Sequence, residues 1–237
     1  SGEDSGEDSG EDSGGSGSTP GVFVISAITG PTTEAGGTAT FTVKLNSQPS
    51  ANVSIAISSS DTTEGTVSPS SIIFTSSNWS TAQTVTVTGV DDTAVDGNQG
   101  YTIVLGVSSS SDSNYSGLDP ADVSVTNTDD DTPGITFNST GDNTTESGGS
   151  FTLAAKLNSQ PSSDVIFAVS SSDTSEGSVS HSSLTFTSSN WGTTQWVSIT
   201  GVDDDSVDGN QNYTVIIGAA SSSDSNYYGT DPDDLSV

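Results

Sequence analysis

Residues 38–45 alternate without a break, Thr-Ala-Thr-Phe-Thr-Val-Lys-Leu, and the same two-residue period returns at Val53–Ile57 and Thr84–Thr88. A period of two sends successive side chains to opposite faces, so each stretch predicts a β-strand with one dry and one wet face. Val22–Ile28, Ile72–Phe74, Tyr101–Val107 and Val123–Val125 add four more apolar runs of strand length. Turn-forming residues separate the seven: Gly36-Gly37, Gln48-Pro49, Asp61 to Gly65, Asp96-Gly97 and Gly117 to Pro120. Seven short strands in about 105 residues predict an immunoglobulin-like β-sandwich.

From Val22 onward this pattern is written twice, at a constant offset of 112 residues. Glu34 recurs as Glu146, Lys44 as Lys156, Trp79 as Trp191, Asp91-Asp92 as Asp203-Asp204, and Val125 as Val237. Solenoid repeats run about 20 to 50 residues, so units this long are tandem domains. The expected organisation is all-β: a first sandwich over 21–131 that ends in an Asp-rich linker, and a second over 132–237. Residues 1–20 repeat Ser-Gly-Glu-Asp three times and continue as Ser/Gly-rich sequence to Pro20. With no large apolar side chain to bury, they read as a flexible acidic tether.

Charge narrows the partners. The chain carries two Lys, no Arg and a net charge of -29. Nucleic acids and anionic membrane surfaces need a basic face, so neither is an expected partner. No stretch approaches the roughly 18 apolar residues of a membrane span, and no membrane insertion is expected. Cysteine is absent, which removes disulfides and thiolate metal sites. The sequence opens at Ser1 with neither methionine nor signal peptide, and reads as a fragment of something longer.

Strand parity then places the acids. Each strand of a sandwich crosses the domain once, so successive connections alternate between its two ends. Glu34 lies between the first and second predicted strands, Asp61 and Glu64 between the third and fourth, and Asp91, Asp92 and Asp96 between the fifth and sixth. Asp129, Asp130 and Asp131 follow the seventh, within Thr126 to Pro133, the stretch that closes one repeat and opens the next. All fall at one pole. Converging carboxylates repel unless a hard cation binds them, and Ca2+, which takes six to eight oxygen ligands, suits such a set better than Mg2+. The plainer reading is that acidic loops solvate the domain ends and cap Asx turns.

The run Glu34-Ala-Gly-Gly-Thr-Ala-Thr-Phe-Thr-Val-Lys-Leu, then Ile73-Phe74, then Gln83-Thr-Val-Thr-Val-Thr-Gly-Val-Asp91-Asp92, closed by Asp129-Asp-Asp131, resembles the Calx-beta family. That family is known from sodium-calcium exchangers, integrin beta-4 and large bacterial surface proteins. The resemblance covers nearly all of 22–237. It implies a calcium cluster with ligands from Glu34, Asp61, Asp91, Asp92, Asp96 and Asp129 to Asp131. The exchanger pattern has a further acid where this chain has Gln99, which implies fewer ions or weaker binding than in a sensor. The second repeat offers Glu146, Asp173, Asp203, Asp204 and Asp208, with Asp205 as an extra acid. The sequence stops at Val237, before a closing Asp triplet, so this second site is expected to be incomplete.

At the opposite pole, Ser77–Ser80 and Asp112–Asp122 form loops in the first repeat. In the second, Asn190, Trp191, Asp224, Tyr227 and Asp231 are expected to pack at the junction between repeats. Trp79 and Trp191 read as caps over the core rather than sugar-stacking platforms, and Trp196 as an exposed aromatic on the wet face. His181 has Pro69 at its counterpart position, and a catalytic base unique to one of two near-copies is not expected. No nucleophile elbow or histidine-paired serine is present to assemble a hydrolase triad. Alternation points Lys44 outward, against an isopeptide bond. Asn52, Asn78, Asn114, Asn138 and Asn143 head sequons of the glycosylation type, which arise by chance in a chain so rich in Ser and Thr.

The expected function is a non-enzymatic, calcium-binding structural repeat that rigidifies an extracellular bacterial surface protein or adhesin stalk, with neighbouring repeats of the same chain as partners. Two alternatives stay open. One is a self-assembling subunit of an extracellular fibre, with other copies of the chain as partners. The other is a calcium-dependent carbohydrate- or matrix-binding module with a glycan or host ligand. A halophile's acidic surface would carry the same charge signature and respond to molar salt instead of millimolar calcium.

Overall fold

The computed structural model describes residues 21–207 and 209–237; the acidic tail 1–20 and Asp208 lie outside the described residues. Among the described residues every regular element is a β-strand. The first repeat forms β1 (Phe23–Ile25), β2 (Thr32–Thr33), β3 (Thr38–Leu45), β4 (Val53–Ser59), β5 (Gly65–Ser68), β6 (Ser71–Phe74), β7 (Gln83–Gly89), β8 (Gln99–Leu105) and β9 (Val123–Thr128). They build two sheets, β1-β3-β7-β5 and β2-β9-β8-β4-β6. The second repeat contributes β10 (Ile135–Ser139), β11 (Ser150–Leu157), β12 (Val165–Ser171), β13 (Gly177–Val179), β14 (Ser183–Phe186), β15 (Gln195–Gly201), β16 (Thr214–Ile217) and β17 (Leu235–Ser236). Its sheets are β10-β11-β15-β13 and β14-β12-β16-β17.

The seven predicted strands of the first repeat become nine because two crossings are divided between the sheets. The first crossing begins as β1, antiparallel to β3, and ends as β2, parallel to β9. The fourth begins as β5, next to β7, and ends as β6, antiparallel to β4. Gly65–Ser68 carries one large apolar residue, Val67, so its alternation is silent in the sequence. Neither division adds a crossing, and the alternation of loops between poles is unchanged. The last strand is longer than Val123–Val125 and runs to Thr128, with consequences for the acidic loops below.

The dry faces of each pair of sheets make the core. Phe41, Val43, Leu45, Ile55, Phe74, Val85, Val87, Ile103 and Leu105 are buried in the first repeat, and Phe151, Leu157, Phe167, Phe186, Val197, Ile199 and Val215 in the second. Each such side chain contributes about 1.5–3 kcal/mol relative to exposure. Trp79 and Trp191 pack partly buried against their own cores, while Trp196 is 54% exposed. Lys44, Lys156 and His181 lie on the surface, the last with Nδ1 2.9 Å from Ser180 Oγ. Tyr115 and Tyr227 are fully buried, and their hydroxyls donate to the carbonyls of Ser47 (2.8 Å) and Ser159 (2.7 Å).

The described chain divides into two compact units whose boundary differs from that of the repeats. Thr38–Thr88 and Tyr101–Val125 belong to the first, with the described residues up to Gly30. Pro31–Gly37, Gly89–Gly100 and Thr126–Val237 belong to the second. Three acid-bearing segments of the first repeat therefore share one compact unit.

Candidate metal centre

Those three segments are held together by backbone. Thr32 pairs with Asn127 and Thr33 with Thr128 in parallel register, and the Glu34 amide donates to the Thr128 carbonyl at 3.1 Å. Asn127 is fully buried and acts as the pin. Its side-chain amide donates to the Val90 carbonyl at 2.9 Å, and its carbonyl oxygen accepts from the Thr32 hydroxyl at 2.9 Å. Gly89 lets the strands close up, since a Cβ there would lie 2.2 Å from the Thr33 carbonyl oxygen and 2.5 Å from Asn127 Oδ1. An Asn127→Leu variant takes one partner from the half-buried Val90 carbonyl and one from the buried Thr32 hydroxyl, at about 1–3 kcal/mol each. Its melting temperature should fall by several degrees in thermal denaturation; an unchanged melt would show that Asn127 does not pin the loops.

On this frame the carboxylates converge. Ligand oxygens of Glu34, Asp129 and Asp131 all lie within 4.8 Å of one another. Glu34 is 1% exposed. Asp129 is oriented from both sides: Oδ2 accepts the Gly97 amide at 2.7 Å and Oδ1 the Asp131 amide at 2.8 Å, while its own amide donates to Asn98 Oδ1. Asp131 Oδ2 is buried and has no hydrogen-bond partner among the described residues. A buried carboxylate oxygen without a donor is costly unless its charge is met another way.

Electrostatics record that cost. Burial pushes the Glu34 carboxyl up from 4.5 to about 7, opposed by the Asp130 amide and reinforced by the charges of Asp129, Asp92 and Asp131. Asp131 is raised as well, by burial first and then by Asp129, Asp130, Asp91 and Asp92. The set is under-neutralised, and its hard-oxygen donors fit a Ca2+ ion: Glu34, Asp129 and Asp131 would hold it, within the negative field of Asp91 and Asp92. Asp92 also caps its own loop through the Ala94 amide at 2.7 Å, and Asp130 is exposed.

Other expected ligands lie outside that trio. Asp61, in the first unit, is exposed and its Oδ1 takes the Thr63 hydroxyl at 2.6 Å and amide at 3.0 Å, which lowers its pKa. Asp173 does the same with Ser175. Asp96 is exposed, with a ligand oxygen within 4.8 Å of one from Asp92, and its carbonyl accepts from Gln99 Nε2, the residue at the position where the exchanger pattern has a further acid. In the second repeat Glu146 and Asp203 are exposed, and Asp204 caps the Ser206 amide at 2.7 Å. Asp208 lies outside the described residues. Asp224 is spent on the Ser162 and Asn226 amides at 2.8 and 2.9 Å.

Sequence reading gave Asn127, Gly97 and Asn98 no role at the site. For Asn127 a signal existed: it continues the inward parity of Val123 and Val125, and a polar side chain at a dry position needs partners.

Comparison with family models matches the Calx-beta domain twice, over residues 19–132 and 128–236. The chain belongs to the Calx-beta family. Calx-beta domains are calcium-binding domains without catalytic activity, so the acidic frame of this chain has the chemistry of its family. Among solved structures, the chain is similar to the calcium binding domain CBD12 of CALX1.1, at 19% identity and TM-score 0.37, covering 86% of this chain and 79% of that one. CBD12 from CALX1.2 aligns at 16% identity and TM-score 0.34, with coverages of 86% and 81%. The E. coli chaperone DraB aligns at 9% identity and TM-score 0.33, covering 91% and 97%. The comparison with curated proteins finds no match.

Proposed function

We propose that this Calx-beta chain is a calcium-binding structural repeat of an extracellular bacterial surface protein, in which the ion stiffens the acidic linker. The supporting observation is the orphaned Asp131 Oδ2, buried beside Glu34 and Asp129. The ion ties segments 31–37, 89–100 and 126–131, so that the linker carrying Asp129 to Asp131 becomes part of a rigid body. The role is mechanical and needs no catalysis. An extracellular setting supplies the millimolar calcium that sites with dissociation constants of about 10⁻⁴ to 10⁻³ M require.

Calorimetric titration with CaCl2, run beside MgCl2 and NaCl at matched ionic strength, tests the reading. Saturable heat with calcium, together with slowed hydrogen exchange at the Gly97 and Asp131 amides, is expected. Heat and protection identical to those of matched NaCl would overturn it and leave a merely acidic surface.

A further inference from the structure

The wet face of the sheet β10-β11-β15-β13 carries a row of residues that the first repeat does not share. Asn138 pairs with Ala154 and Ala154 with Trp196, so the three sit side by side across β10, β11 and β15. At the same place in the first repeat stand Ser26, Thr42 and Thr84. There Thr42 pairs with Thr84, and the Ser26 amide donates to the Thr42 carbonyl at 3.0 Å. All three members of the row differ, and in a complementary sense: the middle one has lost bulk and the outer two have gained it.

Ala154 stands on the solvent side of its strand, yet only 6% of it is exposed. Alternation would leave such a position open, and its counterpart Thr42 is half-buried. Of the two residues paired with Ala154, only Trp196 has a side chain broad enough to roof it. The indole therefore lies down on the alanine methyl and turns its other face to solvent, in keeping with the 54% exposure of Trp196. A threonine at 154 would occupy the room that the indole uses. The surroundings are polar without being acidic: none of β10, β11, β13 and β15 contains an Asp or Glu, in a chain that has 31. Lys156, on the same face of β11, is diagonal to Trp196 at about 7–8 Å, within reach of a long side chain. Exposed Asn138 closes the other side of the row.

We propose that this row is a binding platform for an uncharged glycan. One pyranose ring lays its C–H face on the outward face of the Trp196 indole, which carries the negative side of the aromatic quadrupole. Asn138 and Lys156 then donate hydrogen bonds to the sugar hydroxyls on either side. Charge selects this occupant. A net charge of -29 repels a polyanionic chain and a second copy of this protein alike, and the platform has no carboxylate to hold a cationic ligand. A neutral ligand rich in hydroxyl acceptors suits the donors that are present. The platform uses no residue of the metal centre, so it does not rest on the calcium reading.

The test is titration of four neutral oligosaccharides, cellohexaose, xylohexaose, mannohexaose and chitohexaose, into the whole chain, followed by calorimetry and by the indole N–H shifts of its tryptophans. Saturable binding of at least one is expected, with the Trp196 signal moving while those of Trp79 and Trp191 stay in place. The same titration in chelator should give the same affinity, so that failure of the platform and failure of the calcium reading are told apart. Trp196→Thr restores the residue of the first repeat; it should keep its melt and weaken binding about tenfold or more. Asn138→Ser should weaken binding about threefold, through one lost hydrogen bond. Absence of binding by all four sugars, undiminished binding by Trp196→Thr, or equal binding of the anionic hexagalacturonate overturns the proposal. So does Trp196-dependent dimerisation in sedimentation without sugar binding, which would make the face a contact between copies.

Discussion

In chelator, an Asp131→Asn protein is expected to melt above the wild type, and in calcium well above the dissociation constant to melt below it. Without an ion, the half-buried Asp131 carboxylate keeps its buried Oδ2 unpartnered, and burial together with Asp129, Asp130, Asp91 and Asp92 raises its pKa. Asparagine keeps the shape, removes a charge and adds two donors facing Glu34 and Asp129. Relief of this kind commonly yields about 0.5–2 kcal/mol. With calcium at about 100 times the dissociation constant the balance reverses, because the wild type gains about 2.7 kcal/mol and the variant has lost a ligand. For a chain of this size each kcal/mol moves the melting temperature by about 2–4 °C. Differential scanning calorimetry in the two media decides the matter. A variant displaced in the same direction in both would show that Asp131 is an ordinary structural carboxylate and that the acidic rim holds no ion.

The trade-off also explains what was legible from sequence. Strong alternation, as in Thr38–Leu45 and Gln83–Gly89, marks strands whose dry faces are aliphatic, and these were visible at once. Parity then carried Glu34, Asp92 and Asp129 to Asp131 to one pole, because counting crossings needs no coordinates. The divided strands escaped notice because Thr32–Thr33 and Gly65–Ser68 are short and polar, held by pairing rather than by a hydrophobic face. Polar alternation likewise hid the extension of β9 through Asn127 to Thr128, although that extension sets the spacing of Glu34 from the aspartates. Parity assigns a pole but not a distance. It could not show that Asp61 and Asp173 turn one oxygen, Oδ1, to Thr63 and Ser175, or that Glu34 is buried while Glu146 is exposed.

Calcium affinity is expected to fall about tenfold between pH 8 and pH 6, and binding at pH 7 to release about half a proton. Both figures follow from a single ligand that titrates near 7, the value to which burial lifts Glu34 in the calcium-free fold. The sign can be checked against stability. A carboxyl whose folded pKa lies above its unfolded one binds more protons folded than unfolded, so calcium-free stability declines as pH rises from about 4.5 to about 7. Asp61 and Asp173 do not cancel this, because hydroxyl and amide donors lower their pKa below the ordinary 3.8, beneath that window. Calcium replaces the proton, so its apparent affinity must rise over the range in which calcium-free stability falls. Calorimetry at pH 7 in two buffers of different ionisation enthalpy counts the released protons directly. Glu34→Gln should abolish the release and flatten the pH profile, at the cost of one ligand. Equal affinity at pH 6 and pH 8 in the wild type would remove Glu34 from the ion's shell and shift the burden of binding to the aspartates alone.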